Sequence, residues 1–187
     1  MLSIVNTAID GEAVTIYDSR VLAAHPLQGA RLRNTSGQPL PGGPLTVLSG
    51  NHYAGDARIE YLPADESRLL SFAVDLPISV QQRQKGAEQT VQALRIVRGM
   101  LESQVTTTRG TSYAFRNAAK AAREVLVVHP LNTRYELLEP AQADERTNDD
   151  YRFKLTLAAG EEREFQVRRS TASAILQAGD FAGRDGA

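Results

Sequence analysis

Residues 40–56 read LPGGPLTVLSGNHYAGD and carry the strongest strand and turn signals in the chain. The run at residues 45–48 is rich in Leu, Val and Thr, which are favoured in strands. A second run returns from Tyr53. The Gly50-Asn51 pair between the two runs suits a tight turn, because both residue types tolerate a positive φ. The stretch therefore predicts a β-hairpin.

The sequence on either side of this hairpin continues the β pattern. Pro39, Pro41 and Pro44 cannot donate a ladder hydrogen bond, which predicts that the chain enters the hairpin along a sheet edge or a loop. Residues 62–66 supply a second turn. The strand after it places alternate apolar side chains on one face: Leu70, Phe72, Val74 and Leu76.

The N-terminal part also predicts strands. Apolar runs at residues 2–5 and 14–17 flank an Asp10-Gly11 turn and indicate a hairpin. Residues 30–34 alternate small or apolar with polar side chains, as a half-buried strand does.

Residues 87–101 admit two interpretations. A helix would place five apolar side chains on one face: Ala87, Val91, Leu94, Val97 and Leu101. Gly99 would then lie inside the helix at a cost of about 1 kcal/mol, whereas it suits a turn between strands at residues 91–97 and 100–108. We predict the hairpin, and we expect the polar residues 81–89 before it to form a flexible connection.

The second half predicts further short strands and little helix. Alternating or β-branched runs recur at residues 110–117, 125–128, 135–140, 151–157 and 163–168. The polar residues 141–149 indicate a loop, residues 118–123 have helical propensity over too short a length, and residues 171–177 are compatible with a short helix.

The two halves share a sequence echo. An Arg-Asn pair at residues 33–34 precedes a loop of small residues, a β run and the later turn LPADESR at residues 62–68. A second Arg-Asn pair at residues 116–117 precedes a similar loop, a β run and the turn LAAGEER at residues 157–163. Either chance or a relationship between two β-sandwich units explains this echo.

We therefore predict an all-β fold made of two β-sandwich-like, immunoglobulin-like units in tandem. The many short strands between Gly, Pro, Asn and Asp favour sandwiches over an α/β fold. The predicted units comprise residues 1–80 and 81–170. Residues 171–187 form a C-terminal tail that we expect to be partly disordered.

Composition excludes several classes of function. The chain has 187 residues, a net charge of -1 and scattered Lys and Arg residues, so we expect neither a nucleic-acid partner nor an anionic membrane surface. Cysteine is absent, which excludes disulfides, thiolate zinc sites and cysteine nucleophiles. We predict no membrane span and no signal peptide in this chain. The default location is then the cytoplasm, or the cell envelope if the chain is an excised domain.

No catalytic constellation is recognisable. His25, His52 and His129 lack the spacing of metal ligands or of a triad, and neither a phosphate-binding loop nor a Gly-x-Ser-x-Gly elbow occurs. We therefore predict no enzyme, no cofactor and no metal site. Residues 144–150 concentrate oxygen ligands that could attract calcium, but a solvated loop is the favoured interpretation.

One exposed turn is the candidate ligand contact. Asn51, His52 and Tyr53 lie at the predicted hairpin tip, although simple turn chemistry with a packed Tyr53 explains them as well.

The motifs along residues 30–168 resemble the C-terminal β domain of the bacterial mucoidy-inhibitor-like family of proteins of unknown function. The resembling segments are residues 33–35, 40–44, 53–56, 65–66, 72–75, 106–108, 113–117, 127–130, 136–140 and 151–153. The resemblance implies strands around Gly99. It also implies an excised domain, because such proteins carry an N-terminal β region and a coiled coil ahead of this part. It carries over no catalytic residues.

Two functions follow as hypotheses. The first is a non-enzymatic protein-interaction or scaffolding module that binds a protein partner or the rest of a longer parent chain. The alternative is a carbohydrate- or envelope-polymer-binding module that uses Tyr53, Tyr61 and Tyr135 as platforms. The oligomeric state is left open.

Overall fold

A computed structural model describes residues 8–97 and 100–178. Within these residues the chain is all-β and contains no helix, and so no helix long and apolar enough to cross a membrane. The strands are β1 (Asp10–Asp18), β2 (Leu27–Arg33), β3 (Gly43–Ser49), β4 (His52–Ile59), β5 (Ser67–Val74), β6 (Ile78–Val97), β7 (Met100–Asn117), β8 (Arg123–Pro130), β9 (Glu136–Glu139), β10 (Glu145–Arg146), β11 (Asp150–Leu157) and β12 (Glu162–Ala178).

These strands form three sheets. The six-stranded sheet has the order β10-β11-β8-β1-β2-β5, the four-stranded sheet has the order β6-β7-β12-β9, and β3 pairs with β4. The pairing of β1 with β8 is parallel, whereas β1–β2, β2–β5 and β8–β11 are antiparallel. The six-stranded sheet therefore takes strands from both sides of residue 80.

The chain divides into two compact units with interleaved segments. Unit 1 comprises Met1–Gln82, Ala114–Leu131 and Ala143–Glu164, and unit 2 comprises Arg83–Tyr113, Asn132–Gln142 and Phe165–Ala187. The predicted boundary at residue 80 lies close to the point where the chain first leaves unit 1. The sequence does not predict the two later returns of the chain to unit 1, because they depend on the pairing of β8 with β1 and of β11 with β8.

The core of unit 1 lies along β8. Val125, Leu126, Val127 and Val128 are all buried, as a continuous apolar run in the middle of a sheet predicts. Tyr17 of β1 meets Phe115 of β7 edge to face, with 5.5 Å between the ring centroids. A buried Leu or Val side chain contributes about 1.5–3 kcal/mol, so this run contributes several kcal/mol to the stability of the sheet.

The predicted hairpin at residues 40–56 is confirmed. Strands β3 and β4 pair antiparallel from Gly43↔Ile59 to Ser49↔His52. Gly50 in the connecting turn has a φ of 59°, a left-handed conformation that costs glycine little.

The hairpin interpretation of residues 87–101 is confirmed in its strands. β6 and β7 are neighbours in one sheet, while Gly99 lies outside the described residues. The flexible connection expected at residues 81–89 is wrong, because these residues belong to β6. Their polarity reflects a strand exposed to water rather than a loop.

Three further expectations change. Asp10-Gly11 is not a turn but the start of β1, and residues 2–5 lie outside the described part. Residues 171–178 are strand rather than helix or disordered tail, because β12 continues to Ala178; residues 179–187 are not described.

The expected face of β5 is interrupted where Gln28 pairs with Ala73 and Gly29 pairs with Ser71. Phe72 is bulged there, so Val74 and Leu76 are exposed instead of continuing the face of Leu70.

A buried asparagine closes the turn after β2. The Nδ2 group of Asn34 donates to the carbonyl oxygens of Gln38, Leu62 and Pro63 at 2.7, 3.1 and 3.0 Å. Its Oδ1 accepts from the backbone N–H of Ser36 at 3.2 Å. The Asn34 side chain thus satisfies three carbonyl groups and fixes the loop to the start of the next turn.

A second buried asparagine does the same after β7. The Nδ2 group of Asn117 donates to the carbonyl oxygens of Ala121, Leu157 and Ala158 at 3.1, 3.3 and 2.9 Å. Its Oδ1 accepts from the backbone N–H of Ala119 at 2.9 Å. In both cases the asparagine binds the carbonyl four residues on, the N–H two residues on, and two consecutive carbonyls of a distant turn.

The distant turns also correspond. Asp65 and Gly160, each three residues after the bound leucine, have positive φ values of 64° and 72°. Arg68 donates to the carbonyl of Tyr61 at 3.4 Å, and Arg163 donates to the carbonyl of Thr156 at 3.1 Å. The sequence echo therefore marks two turns with the same hydrogen bonds, which we call the asparagine turns.

Candidate functional site

The predicted contact residues lie together at one exposed hairpin tip. Asn51 is in the turn, and His52 and Tyr53 begin β4, with all three side chains exposed. The Tyr53 hydroxyl donates to Asp56 Oδ2 at 2.7 Å, and Thr46 Oγ1 donates to Asp56 Oδ1 at 3.0 Å. The Asp56 carboxylate thereby orients the Tyr53 ring at the surface.

The electrostatics of the tip are set by the same carboxylate. The hydrogen bond to Asp56 raises the pKa of Tyr53, because the neutral phenol is the form that donates it. Tyr53 is 65% exposed and stays protonated at neutral pH, so it offers a flat apolar ring with a hydroxyl already engaged. The tip can stack against a planar partner, but it holds no acid–base pair.

The most extended exposed feature is strand β6. Among the described strands β6 has a single sheet neighbour, β7, and residues 84–96 are all exposed. Val91, Leu94 and Ile96 are 55%, 62% and 66% exposed. An edge strand presents backbone N–H and C=O groups along its open side, and such an edge is a template for pairing with another chain.

The aromatic platform expected at Tyr135 is covered by cations. The guanidinium groups of Arg109 and Arg169 lie 5.9 and 5.7 Å from the Tyr135 ring centroid. These are cation–π contacts, and a sugar that stacked on Tyr135 would have to compete with them. Tyr61, by contrast, is 58% exposed.

Two of the acidic residues at 144–150, Glu145 and Asp150, form ion pairs rather than standing as free ligands. Glu145 pairs with Arg31 of β2 and Arg152 of β11, and Asp150 Oδ1 lies 2.8 Å from Arg20 Nη2. Burial disfavours the charged Glu145, but the hydrogen bond and charge of Arg31 outweigh it, so the pKa of Glu145 is lowered. In the described part of the chain no cluster of three or more His, Asp or Glu side chains is placed to hold a metal.

The three histidines do not converge. His25 Nδ1 lies 2.7 Å from the carbonyl oxygen of Ile78, and His129 is buried in β8. His52 is exposed at the hairpin tip. His25 and His129 therefore occupy structural positions.

Sequence reasoning missed a cavity in unit 1 that is lined by a buried carboxylate. Asp75 is 1% exposed and lines a cavity of about 370 Å³ together with Thr15, Gln28 and Glu124. Thr15 Oγ1 donates to Asp75 Oδ2 at 3.3 Å, while Asp75 Oδ1 has no hydrogen-bond partner in the described structure. A lone Asp after a strand carries no sequence signal for this, because the cavity is lined by residues from distant parts of the chain.

Comparison with protein-family models, with curated proteins and with solved structures found no match.

Proposed function

We propose that this chain is a non-enzymatic β module that binds another protein, or a further part of a longer parent chain. The observation that carries the proposal is the exposed edge of β6 at residues 84–96, beyond the backbone hydrogen bond from Val80 to Ala24. That strand has exposed apolar side chains at Val91, Leu94 and Ile96 and a row of backbone groups along one side. A partner strand would bond to this edge and cover part of the exposed apolar surface.

The alternation of side chains gives the edge two usable faces. Leu94 and Ile96 are two residues apart and so share one face of β6, while Val91 lies on the other. Burial of an exposed apolar side chain contributes roughly 25 cal/mol per Å². Backbone hydrogen bonds would give affinity and these side chains would give selectivity.

Site-specific photo-crosslinking in the producing cell tests the proposal. A photoreactive residue is placed at Gln92 on β6 and, as the matched control, at Ser71 on β5, which is exposed and also ends a sheet. We expect discrete protein adducts from position 92 and few from position 71. Equal or absent adducts at both positions would contradict a binding module.

We further propose that the chain corresponds to the C-terminal β domain of the mucoidy-inhibitor-like family and that its strands form two related immunoglobulin-like units. The paired asparagine turns at Asn34 and Asn117 support related units. The parent gene decides the first point: an encoded N-terminal β region and coiled coil are expected, and a gene without them would contradict it.

A carbohydrate- or envelope-polymer-binding function is the second candidate. It is favoured by the exposed rings of Tyr53 and Tyr61, since exposed aromatic planes stack on sugars. A glycan array with cell-wall sugars tests it, with Tyr53→Ala and Tyr61→Ala as variants and Tyr135→Phe as control. Binding that survives both alanine variants, or no binding by the parent chain, removes this candidate.

A further inference from the structure

The asparagine turns extend into a correspondence between whole strands. Before Asn34 lie β1 and β2, and before Asn117 lie β6 and β7. After each asparagine comes an antiparallel hairpin, β3–β4 in the first half and β8–β11 in the second. The turn that the asparagine binds then leads into β5 or β12.

The sheet order repeats as well. In the first half β2 lies between β1 and β5, and in the second half β7 lies between β6 and β12. β9 and β10 have no counterpart in the first half and are additions to the second. The hairpins are also in matching register, because Leu40↔Leu62 corresponds to Arg123↔Leu157.

One strand pairing joins the two halves. β8 pairs in parallel with β1 through Thr15↔Val125, Ile16↔Leu126, Tyr17↔Val127 and Asp18↔Val128. The hairpin of the second half thus extends the sheet of the first. By the correspondence, β8 is the counterpart of β3 and β1 is the counterpart of β6.

β3 and β6, the counterparts of the joined strands β8 and β1, each have an unpaired edge among the described strands. Among the described strands β3 pairs with β4 alone and β6 with β7 alone, so both lack the pairing that β8 and β1 make. We propose that β3 of one molecule pairs in parallel with β6 of a second copy of this chain and reproduces the β8–β1 junction between molecules. The inference deepens the proposed function, since it rests on the same β6 edge and names its partner.

Pro44 does not block the open side of β3. Leu40 and Leu62 exchange both backbone hydrogen bonds, at 2.9 and 3.0 Å. Ladder bonds alternate along an antiparallel strand, so Pro44, four residues on in the same register, is directed at β4. Gly43, Leu45 and Val47 then direct their N–H and C=O groups at the open side.

The β3–β6 contact predicts an assembly that adds further molecules, rather than a closed dimer. β3 and β6 are different surfaces, so each molecule offers one of each and the contact is heterologous. A molecule engaged through β6 keeps its β3 available. Average mass therefore rises with concentration unless the assembly closes into a ring.

Disulfide trapping tests the proposal, because the chain has no cysteine of its own. One protein carries Thr46→Cys on β3, and partner proteins carry Gln84→Cys, Gln89→Cys or Gln92→Cys on β6. Ser71→Cys on β5 is the matched control for β3. All five positions are exposed. The proteins are mixed in equal amounts and oxidised mildly, and sedimentation velocity of the unmodified chain is measured over a wide concentration range.

We expect at least one β3–β6 combination to yield about tenfold more mixed dimer than the same β6 variant with Ser71→Cys, the ratio that a preference of about 1.4 kcal/mol gives. Sedimentation should show mass increasing with concentration. Dominant β6–β6 dimers, equal yields with Ser71→Cys, or a monomer at every concentration would overturn the proposed β3–β6 pairing.

The photo-crosslinking result separates the two proposals. A monomeric chain with adducts to a different protein at Gln92 overturns self-pairing and leaves the binding module standing. A monomeric chain without adducts overturns both.

Discussion

Strands β8 and β6 are both strands in the same chain, yet their environments are opposite. β8 has strand neighbours on both sides and a run of buried Val and Leu residues, whereas β6 has one neighbour among the described strands and exposed residues from 84 to 96. Strand formation in this chain therefore does not require that the side chains be buried. β8 is held by its core, whereas residues 84–96 of β6 are held by backbone pairing with β7.

We expect the largest difference between these strands when a leucine in each is truncated to alanine and the free energy of unfolding is compared. Leu126→Ala on β8 removes a side chain that is 1% exposed, and we expect a loss of about 2–5 kcal/mol in the free energy of unfolding from lost burial and a cavity. Leu94→Ala on β6, 62% exposed, should change it by less than about 0.5 kcal/mol. Urea denaturation measures both, and equal losses would contradict the contrast.

The asparagine turns should show the next largest effect. Asn34→Ala and Asn117→Ala each remove a buried amide that donates to three carbonyl groups, and we expect each to cost about 2–3 kcal/mol because these carbonyls lose one of their hydrogen-bond donors. Asn51→Ala at the exposed hairpin tip is the control and should be nearly neutral. A large difference between Asn34→Ala and Asn117→Ala in thermal melts would argue against the correspondence of the two halves.

Gly29 of β2 and Gly86 of β6 provide a second comparison between a packed strand and an exposed strand. A Cβ at Gly29 of β2 would lie 2.3 Å from the Leu70 carbonyl oxygen, so Gly29→Ala should cost about 1–3 kcal/mol through forced backbone movement. A Cβ at Gly86 of β6 would meet nothing within 4 Å. Gly86→Ala should therefore be neutral or stabilise by up to about 1 kcal/mol, through reduced freedom of the unfolded chain. Chemical denaturation distinguishes these signs.

We expect the smallest effect from acid, which should lower the free energy of unfolding of unit 1 by removing the ion pairs of Glu145. The pKa of Glu145 is lowered from its ordinary value of 4.5, so its ion pairs stabilise the fold above that pH, and the contribution is lost as pH falls through the lowered pKa. We expect Glu145→Gln to lose up to about 1 kcal/mol at pH 7 and much less once the pH lies below the lowered pKa of Glu145. A pH-independent effect in urea titrations would contradict this account.

The positions of the strands were more predictable from the sequence than the pairing between them. The β3–β4 hairpin and β11 followed from local alternation and turn residues, and the Gly99 argument correctly favoured strands over a helix. The parallel pairing of β1 with β8 could not be foreseen, because no local pattern encodes partners 110 residues apart. The polarity of residues 81–89 predicted a loop, since the sequence cannot distinguish a solvated strand from a solvated connection.

The candidate site divided in the same way. Gly50 and Asn51 located the exposed hairpin tip because turn chemistry is local. The Asp75 cavity and the cations over Tyr135 depend on residues brought together from different strands, and neither has a signature in a single segment. The Asn34 and Asn117 echo was visible in the sequence, but only the hydrogen bonds gave it a physical meaning.

The parallel β1–β8 pairing also has a consequence for synthesis on the ribosome. At about 5–20 residues per second, roughly 5–20 s separate the emergence of Thr15 from that of Val125. During that interval β1 can pair with β2 but not with β8. We expect the nascent first half to expose a strand edge that the finished molecule closes.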